Sequence, residues 1–246
     1  MRTWLATALL CLFSPSHARS RCLSSDYLAV VQLAHQALSS TKAPYCVIGA
    51  LALGAWATPR ATSDVDFLML AQCDNPHPFL DLLRARGFAI DQTWHDADPM
   101  AREVVLRLIH PSALHFLVDL VFSLGPFDRA ALDRHRAVDF HSLTIWIRSP
   151  EDLVLMKLRA GRPRDFDDVL GIVKNPHLEL DLDYLWNRAN RLGLPGELQI
   201  CGECSRSRPV DTRSHSLFIP SSPSSPPLSP LQWRKWNVAV VLVGRI

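Results

Sequence analysis

Apolar positions along this chain follow two rhythms, and the places where one gives way to the other mark out its elements. From Ser25 to Leu38 the apolar residues return at helical spacing behind a Ser25-Asp26 start, which predicts a helix. Pro44 to Ile48 is a short continuous apolar run that predicts a strand, and the turn at Gly49 leads into a short helix ending at Trp56. A second run, Val65, Phe67, Leu68, Met69 and Leu70, makes a strand that begins at Asp64. Further on, the pattern predicts a helix near Phe79 to Arg86, strands around Glu103 to Ile109 and Ala113 to Phe122, and a short strand from Leu143 to Ile147. Residues 150–192 have helical periodicity. Such alternation predicts an α/β fold, a mixed β-sheet flanked by helices with a helical C-terminal part.

Both ends depart from this pattern. Residues 1–24 carry an early charge at Arg2, an apolar stretch from Trp4 to Phe13 and a small-residue S-H-A, which resembles a secretory signal. The stretch is too short for a conventional membrane span. Cleavage after Ala18 would remove Cys11 and leave five of the six cysteines, an odd number that does not suggest a disulfide framework. A cytoplasmic protein with an extended start is the preferred expectation, with secretion as the minority one. From Cys201 the chain turns polar, and S-S-P-S-S-P-P-L-S-P at 221–230 is low-complexity sequence expected to be disordered. Cys201 and Cys204 form a single C-x-x-C, a weak signal for zinc or redox chemistry. The expected division is therefore 25–148 as the core, 149–200 as its helical part, and 1–24 and 201–246 as extensions.

Composition changes this picture little. The chain is 48% hydrophobic and 20% charged with a net charge of +2, as a soluble globular protein would be. The balance does not announce nucleic acid, although basic residues are dense from Lys157 to Arg164.

Candidate chemistry gathers on Asp64 and Asp66. Spaced i, i+2 at the start of a strand, their carboxylates share one face. At about 6 Å and an effective dielectric near 20 they repel by roughly 3 kcal/mol, enough to raise one pKa by about two units. A divalent cation held by both would offset this, and hard oxygen ligands suit Mg²⁺ and its phosphate companions. The bland alternative is a turn-capping aspartate beside a solvated one. Asp119 shifts the balance, because it lies inside the apolar run L-H-F-L-V-D-L-V-F at 114–122, which predicts a strand buried on both faces. A lone carboxylate there would cost several kcal/mol, on the order of any unpaired buried charge, unless paired, protonated or metal-bound. If the two strands are neighbours, three carboxylates converge; otherwise an arginine such as Arg60 or Arg107 pairs with Asp119.

An apolar strand, Gly49 with a small residue after it, a short helix, Asp64-Val65-Asp66 and a later Asp119 together resemble the nucleotidyltransferase superfamily that includes DNA polymerase β. P-R-A-T-S-D-V-D at 59–66 is similar, more narrowly, to AbiEii toxin-like minimal nucleotidyltransferases. A second block at 150–169, P-E-D-L-V-L-M-K-L-R-A-G-R-P-R-D-F-D-D-V, resembles their downstream helix with its lysine and basic-Asp pair. The resemblance covers roughly residues 25–192. One position departs from it: the family usually has Gly-Gly or Gly-Ser at the turn, and this chain has Gly49-Ala50, which keeps a close approach but offers no hydroxyl.

The resemblance implies transfer of a nucleoside monophosphate from an NTP to an acceptor, with pyrophosphate leaving and two Mg²⁺ ions clamping the reacting oxygens. It implies that Asp64 and Asp66 bind both metals, and that Asp119 binds the catalytic metal and helps deprotonate the acceptor. Gly49, Ala50, Arg60, Lys157 and Asp165 would meet the nucleotide. Locally, Ser149-Pro150-Glu151-Asp152 is a strong helix start, Lys157 is expected to snorkel from an apolar face, and Asp165 is equally well an N-cap. The acceptor could be a tRNA end, a protein hydroxyl or a small molecule such as an aminoglycoside, and the branch suggests a toxin with an antitoxin partner. A different class is a non-catalytic relative that binds nucleotide or protein.

Overall fold

A computed structural model describes residues 25–41, 43–70, 77–97, 104–122, 125–141 and 143–206. The signal-like start and the Ser/Pro-rich segment lie outside the described residues, as does the side chain of Cys204.

Helix α1 (Ser25–Ser39) is followed by strand β1 (Tyr45–Ile48), helix α2 (Gly49–Trp56) and strand β2 (Asp64–Met69). Then come α3 (His77–Arg84), β3 (Ala89–Ile90), α4 (Gln92–Ala97), β4 (Val105–Ile109) and β5 (Leu117–Phe122). The remainder is α5 (Pro126–Asp133), β6 (Arg136–Phe140), β7 (Leu143–Ile147), α6 (Pro150–Ala160), α7 (Pro163–Val173), α8 (Leu182–Leu192) and α9 (Pro195–Arg206). The strands form one seven-stranded sheet in the order β3-β4-β5-β2-β1-β7-β6. It is mixed: β2 runs parallel to β5 and β1 to β7, while the other neighbours are antiparallel.

The expected architecture is the observed one. The β2 and β5 runs are buried along nearly their whole length because both faces of the central strands are covered. One face carries the main core, where Val47, Val65, Phe67, Met69, Val118 and Leu120 pack with Tyr27, Val31 and Leu38 of α1 and Leu53 of α2. On the other lies a smaller cluster of Cys46, Ile48, Leu68, Val105, Val121 and Leu132, and the aspartates sit in that row. Helix α6 starts as its sequence dictates: Ser149 is the N-cap and accepts from the Asp152 N–H, Pro150 opens the first turn, and Gly161 closes the helix in left-handed backbone.

Four elements between the expected ones had not been read from the pattern: β3, α4, α5 and β6. The strand expected over Ala113 to Phe122 is shorter, because 110–116 form turns before Leu117. At the C-terminal side, α9 continues through Arg206, so Cys201 is a buried residue within a helix rather than the first residue of a tail. The amphipathic pattern of Leu194, Leu198 and Cys201, three or four residues apart, explains it: these side chains join the main core.

Candidate active site

Asp66 pairs in register with Asp119 across the parallel β2–β5 ladder, and Asp64 stands two residues before it on the same strand. Asp66 is 2% exposed and Asp119 1%. The carboxylate of Asp66 lies over the turn into α2. Gly49 there has φ +67°, and a Cβ at that position would come within 1.9 Å of Asp66 Oδ2. Glycine is thus required twice, for the left-handed backbone and for the room. Asp66 Oδ1 is buried without a hydrogen-bond partner. Burial, and then the Asp64 and Asp119 carboxylates, push Asp66 well above the usual carboxylate range.

Asp64 is held from two sides. Its side chain accepts from the Thr62 hydroxyl, and its backbone carbonyl accepts from the buried Tyr27 hydroxyl at 3.1 Å. Burial raises the Tyr27 phenol, aided by Asp66 and Asp64, so that tyrosine stays a neutral donor.

Asp119 is paired with Arg107, its cross-strand neighbour on β4. Arg107 Nε donates to Oδ1 at 2.8 Å and Nη2 to Oδ2 at 2.6 Å, a two-pronged ion pair that is almost entirely buried. The guanidinium lies 4.4 Å from the Trp94 ring centroid on α4, and the Arg107 backbone N–H donates to His95 Nε2 at 3.2 Å. One row across the sheet therefore reads Ile48, Asp66, Asp119, Arg107. Burial raises Asp119, while the Arg107 hydrogen bonds and charge pull the other way.

The basic residues expected at the nucleotide are disposed differently. Lys157 does not snorkel: it is 3% exposed, and its Nζ reaches Asp168 Oδ2 at 2.5 Å and Asp165 Oδ1 at 3.4 Å. Two carboxylates in α7 supply a partner that a solvent-reaching conformation would forgo. Asp165 is not the N-cap of α7 either. Arg162 occupies that position, and Asp165 in the first turn accepts from Arg162 Nε at 2.5 Å. Arg60 is partly exposed, lies 3.8 Å from Asp168, and is near enough to Asp66 to oppose the rise of its pKa. Lys157, Asp165, Asp168, Arg162 and Arg60 are thus one ionic network beside the site.

Arg107 with Trp94 and His95 is the part that sequence reading left open. The signal was the lone arginine in the apolar run V-V-L-R-L-I at 104–109. Cys46, in the same face of the sheet, is no nucleophile at neutral pH, because burial pushes its thiol up to about 12.

Among the described residues no set of three His, Cys, Asp or Glu side chains is gathered to hold a metal ion. Both oxygens of the third carboxylate are engaged by Arg107. The donor chemistry that fits a divalent cation is that of Asp64 and Asp66: hard oxygens, mutual repulsion and one buried oxygen without a partner.

The family model described as a nucleotidyltransferase of unknown function (DUF6036) matches residues 123–191, the segment just downstream of the three aspartates. With the two sequence blocks, this match supports assignment to the nucleotidyltransferase superfamily without singling out the AbiEii-like branch. An antigenic nucleotidyltransferase-like protein from Paracoccidioides brasiliensis has 18% identity and a TM-score of 0.45, over 73% of this chain and 94% of its own. A Thermotoga maritima protein provisionally described as a nucleotidyltransferase has 14% identity and a TM-score of 0.42, over 61% of this chain and 94% of its own. Terminal uridylyl transferase 4 from Trypanosoma brucei, with bound GTP, has 16% identity and a TM-score of 0.28, over 54% of this chain and 41% of its own. At these values none of the three carries a conclusion about function. No curated protein matches the chain. Among the described residues no helix is long and apolar enough to cross a membrane.

Proposed function

We propose that this protein is a Mg²⁺-dependent nucleotidyltransferase that moves an NMP from an NTP to an acceptor hydroxyl and releases pyrophosphate. The observation that carries the reading is Asp66, a buried carboxylate with a partnerless oxygen, pressed against Gly49 at a helix start and flanked by two further aspartates. A structural aspartate in that position would bring its own partner, since an unpaired buried charge is costly. Mg²⁺ held by Asp64 and Asp66 would supply charge neutralisation at the phosphates.

The chain's own groups account for the rest. Backbone N–H groups at the start of α2 are suited to phosphate oxygens, and Ala50 lets the backbone come close. Arg60, partly exposed beside Asp168, adds positive charge at the rim. In the transfer, the acceptor oxygen bonds to the α-phosphorus, the bond from that phosphorus to the bridging oxygen breaks, and the hydroxyl proton passes to a carboxylate. Asp119 is the candidate for that proton, with Arg107 fixing its orientation. Lys157 acts one step back, holding Asp165 and Asp168 in place. The sequence resemblance extends the proposal to a toxin restrained by an antitoxin protein, with a tRNA end among its acceptors.

The test is incubation of the protein and Mg²⁺ with each α-labelled NTP and either total RNA or protein acceptors, beside folded Asp64→Ala and Asp66→Ala variants. Label should pass to one acceptor class with the parent and not with the variants. Transfer undiminished in both variants would overturn the site. The Arg107 pair favours a second reading, a nucleotide-binding relative without turnover. That reading requires NTP binding with no label transfer to any acceptor.

A further inference from the structure

The three carboxylates of the aspartate row do not share the same kind of partner. Asp119 is neutralised by its own chain, since Arg107 donates through Nε and Nη2 to its two oxygens at 2.8 and 2.6 Å. That guanidinium is fixed from several sides. The β4–β5 register sets Arg107 opposite Asp119, the Trp94 ring centroid lies 4.4 Å from its central carbon, and its backbone N–H donates to His95 Nε2 at 3.2 Å. Both side chains of the pair are buried, so water does little to screen it. Asp64 and Asp66 are served differently. The Asp64 carboxylate accepts from Thr62, a neutral hydroxyl, and Asp66 Oδ1 is buried without a hydrogen-bond partner. Of the two arginines that oppose the rise of Asp66, Arg107 acts more strongly than Arg60. Arg107 is thus the site's principal built-in positive charge. With it, a single divalent cation balances all three carboxylates. A further cation would have to reach Asp119 beside a fixed guanidinium, at oxygens that each already accept a charge-assisted hydrogen bond.

We infer that this site holds one divalent cation, on Asp64 and Asp66, and that Arg107 takes the charge-neutralising place of the second ion that the resemblance implies. Arg107 is then a positioning residue that keeps Asp119 ionised and aligned at every metal concentration. The inference rests on the proposed nucleotidyl transfer for the role of the ion, and its test needs no turnover.

Mn²⁺, which accepts the same oxygen ligands as Mg²⁺, is titrated into the full chain and followed by electron paramagnetic resonance. The titration is run with the metal alone and then with the α,β-methylene analogue of each NTP at the protein's own concentration. The parent should hold one ion in both conditions, without the dipolar coupling expected of two ions about 3.5 to 4 Å apart. Asp66→Asn should lose the ion bound without nucleotide. Arg107→Met frees Asp119 and should take up a second ion with the analogue present, coupled to the first. Because that variant leaves a buried carboxylate uncompensated, the double variant Arg107→Met/Asp119→Leu is measured beside it, as apolar replacement of a whole buried pair is often neutral for stability. It should hold one ion with the parent's affinity. A coupled pair of ions in the parent, loss of the ion in the double variant, or a folded Arg107→Met that still holds one ion would overturn the inference and leave nucleotidyl transfer intact. An ion retained undiminished in Asp66→Asn would overturn the aspartate site itself, and both readings with it. One uncoupled ion in a protein that transfers no label would fault the catalytic reading and leave this one standing.

Discussion

Arg107→Met is the substitution whose consequences the structure constrains most. It removes a guanidinium that holds both oxygens of Asp119, at 2.8 and 2.6 Å, where the two side chains are only 6% and 2% exposed. Methionine fills much of the same volume beneath Trp94, so the loss is chiefly electrostatic. Removing one partner of a buried pair costs about 3 to 5 kcal/mol, because the other charge is left uncompensated. For a chain of this size each kcal/mol lowers Tm by about 2 to 4 °C, so the metal-free variant should melt about 6 to 20 °C below the parent. A divalent cation drawn to the freed Asp119 and to Asp66 returns part of that cost, and a ligand at a hundred times its Kd returns about 2.7 kcal/mol. Urea unfolding in EDTA and in saturating MgCl₂ therefore gives four midpoints, and Mg²⁺ should stabilise Arg107→Met more than the parent. A loss below about 1 kcal/mol in EDTA would refute the buried-pair account, as that is the scale of an exposed pair. Equal stabilisation of both proteins by Mg²⁺ would refute competition between Arg107 and the cation.

Three other outcomes follow from neighbouring residues. Gly49→Ala places a Cβ against Asp66 Oδ2 in left-handed backbone, so calorimetry should show a loss of at least about 1 to 2 kcal/mol from the backbone alone. Lys157→Met leaves Asp165 and Asp168 short of a cation and should cost about 3 to 5 kcal/mol by urea unfolding, whereas a residue serving only as a nucleotide contact would leave stability unchanged. Because Asp66 is raised in the folded protein, its contribution is fully present below the unfolded aspartate pKa of about 3.9 and is lost as pH rises through the folded value. Metal-free stability should therefore decline over that rise more steeply in the parent than in Asp66→Asn, and Mg²⁺ should flatten the difference.

Much of this site was legible because its signals are local. An i, i+2 aspartate pair opening an apolar run fixes a strand and a shared face, and Gly49 between β1 and α2 marks a backbone that only glycine tolerates there. A carboxylate amid V-D-L-V-F at 118–122 can be recognised as buried without knowing its neighbour. What sequence could not supply was register. Whether Asp119 faced a cation or Arg107 depends on how β4 lies against β5, and a slip of one residue would have turned Arg107 to the other face. Lys157 is a similar case: the apolar face of α6 was evident, but the approach of α7, which turns the lysine inward onto Asp165 and Asp168, is tertiary. Helix α5 had a signal in Gly125-Pro126 and the spacing of Phe127, Ala131 and Leu132, yet one apolar stripe over eight residues is too brief to stand out.

The central claim, that nucleotide rather than phosphate is transferred at Asp64 and Asp66, is tested most directly by one paired measurement. The folded protein with Mg²⁺ and the accepted acceptor is given the same NTP labelled either at the α-phosphate or at the γ-phosphate. The account predicts that the acceptor gains label from the α-labelled nucleotide alone, and that the γ-label leaves as pyrophosphate. Label gained from the γ-phosphate, or gained equally by Asp66→Asn, would contradict it.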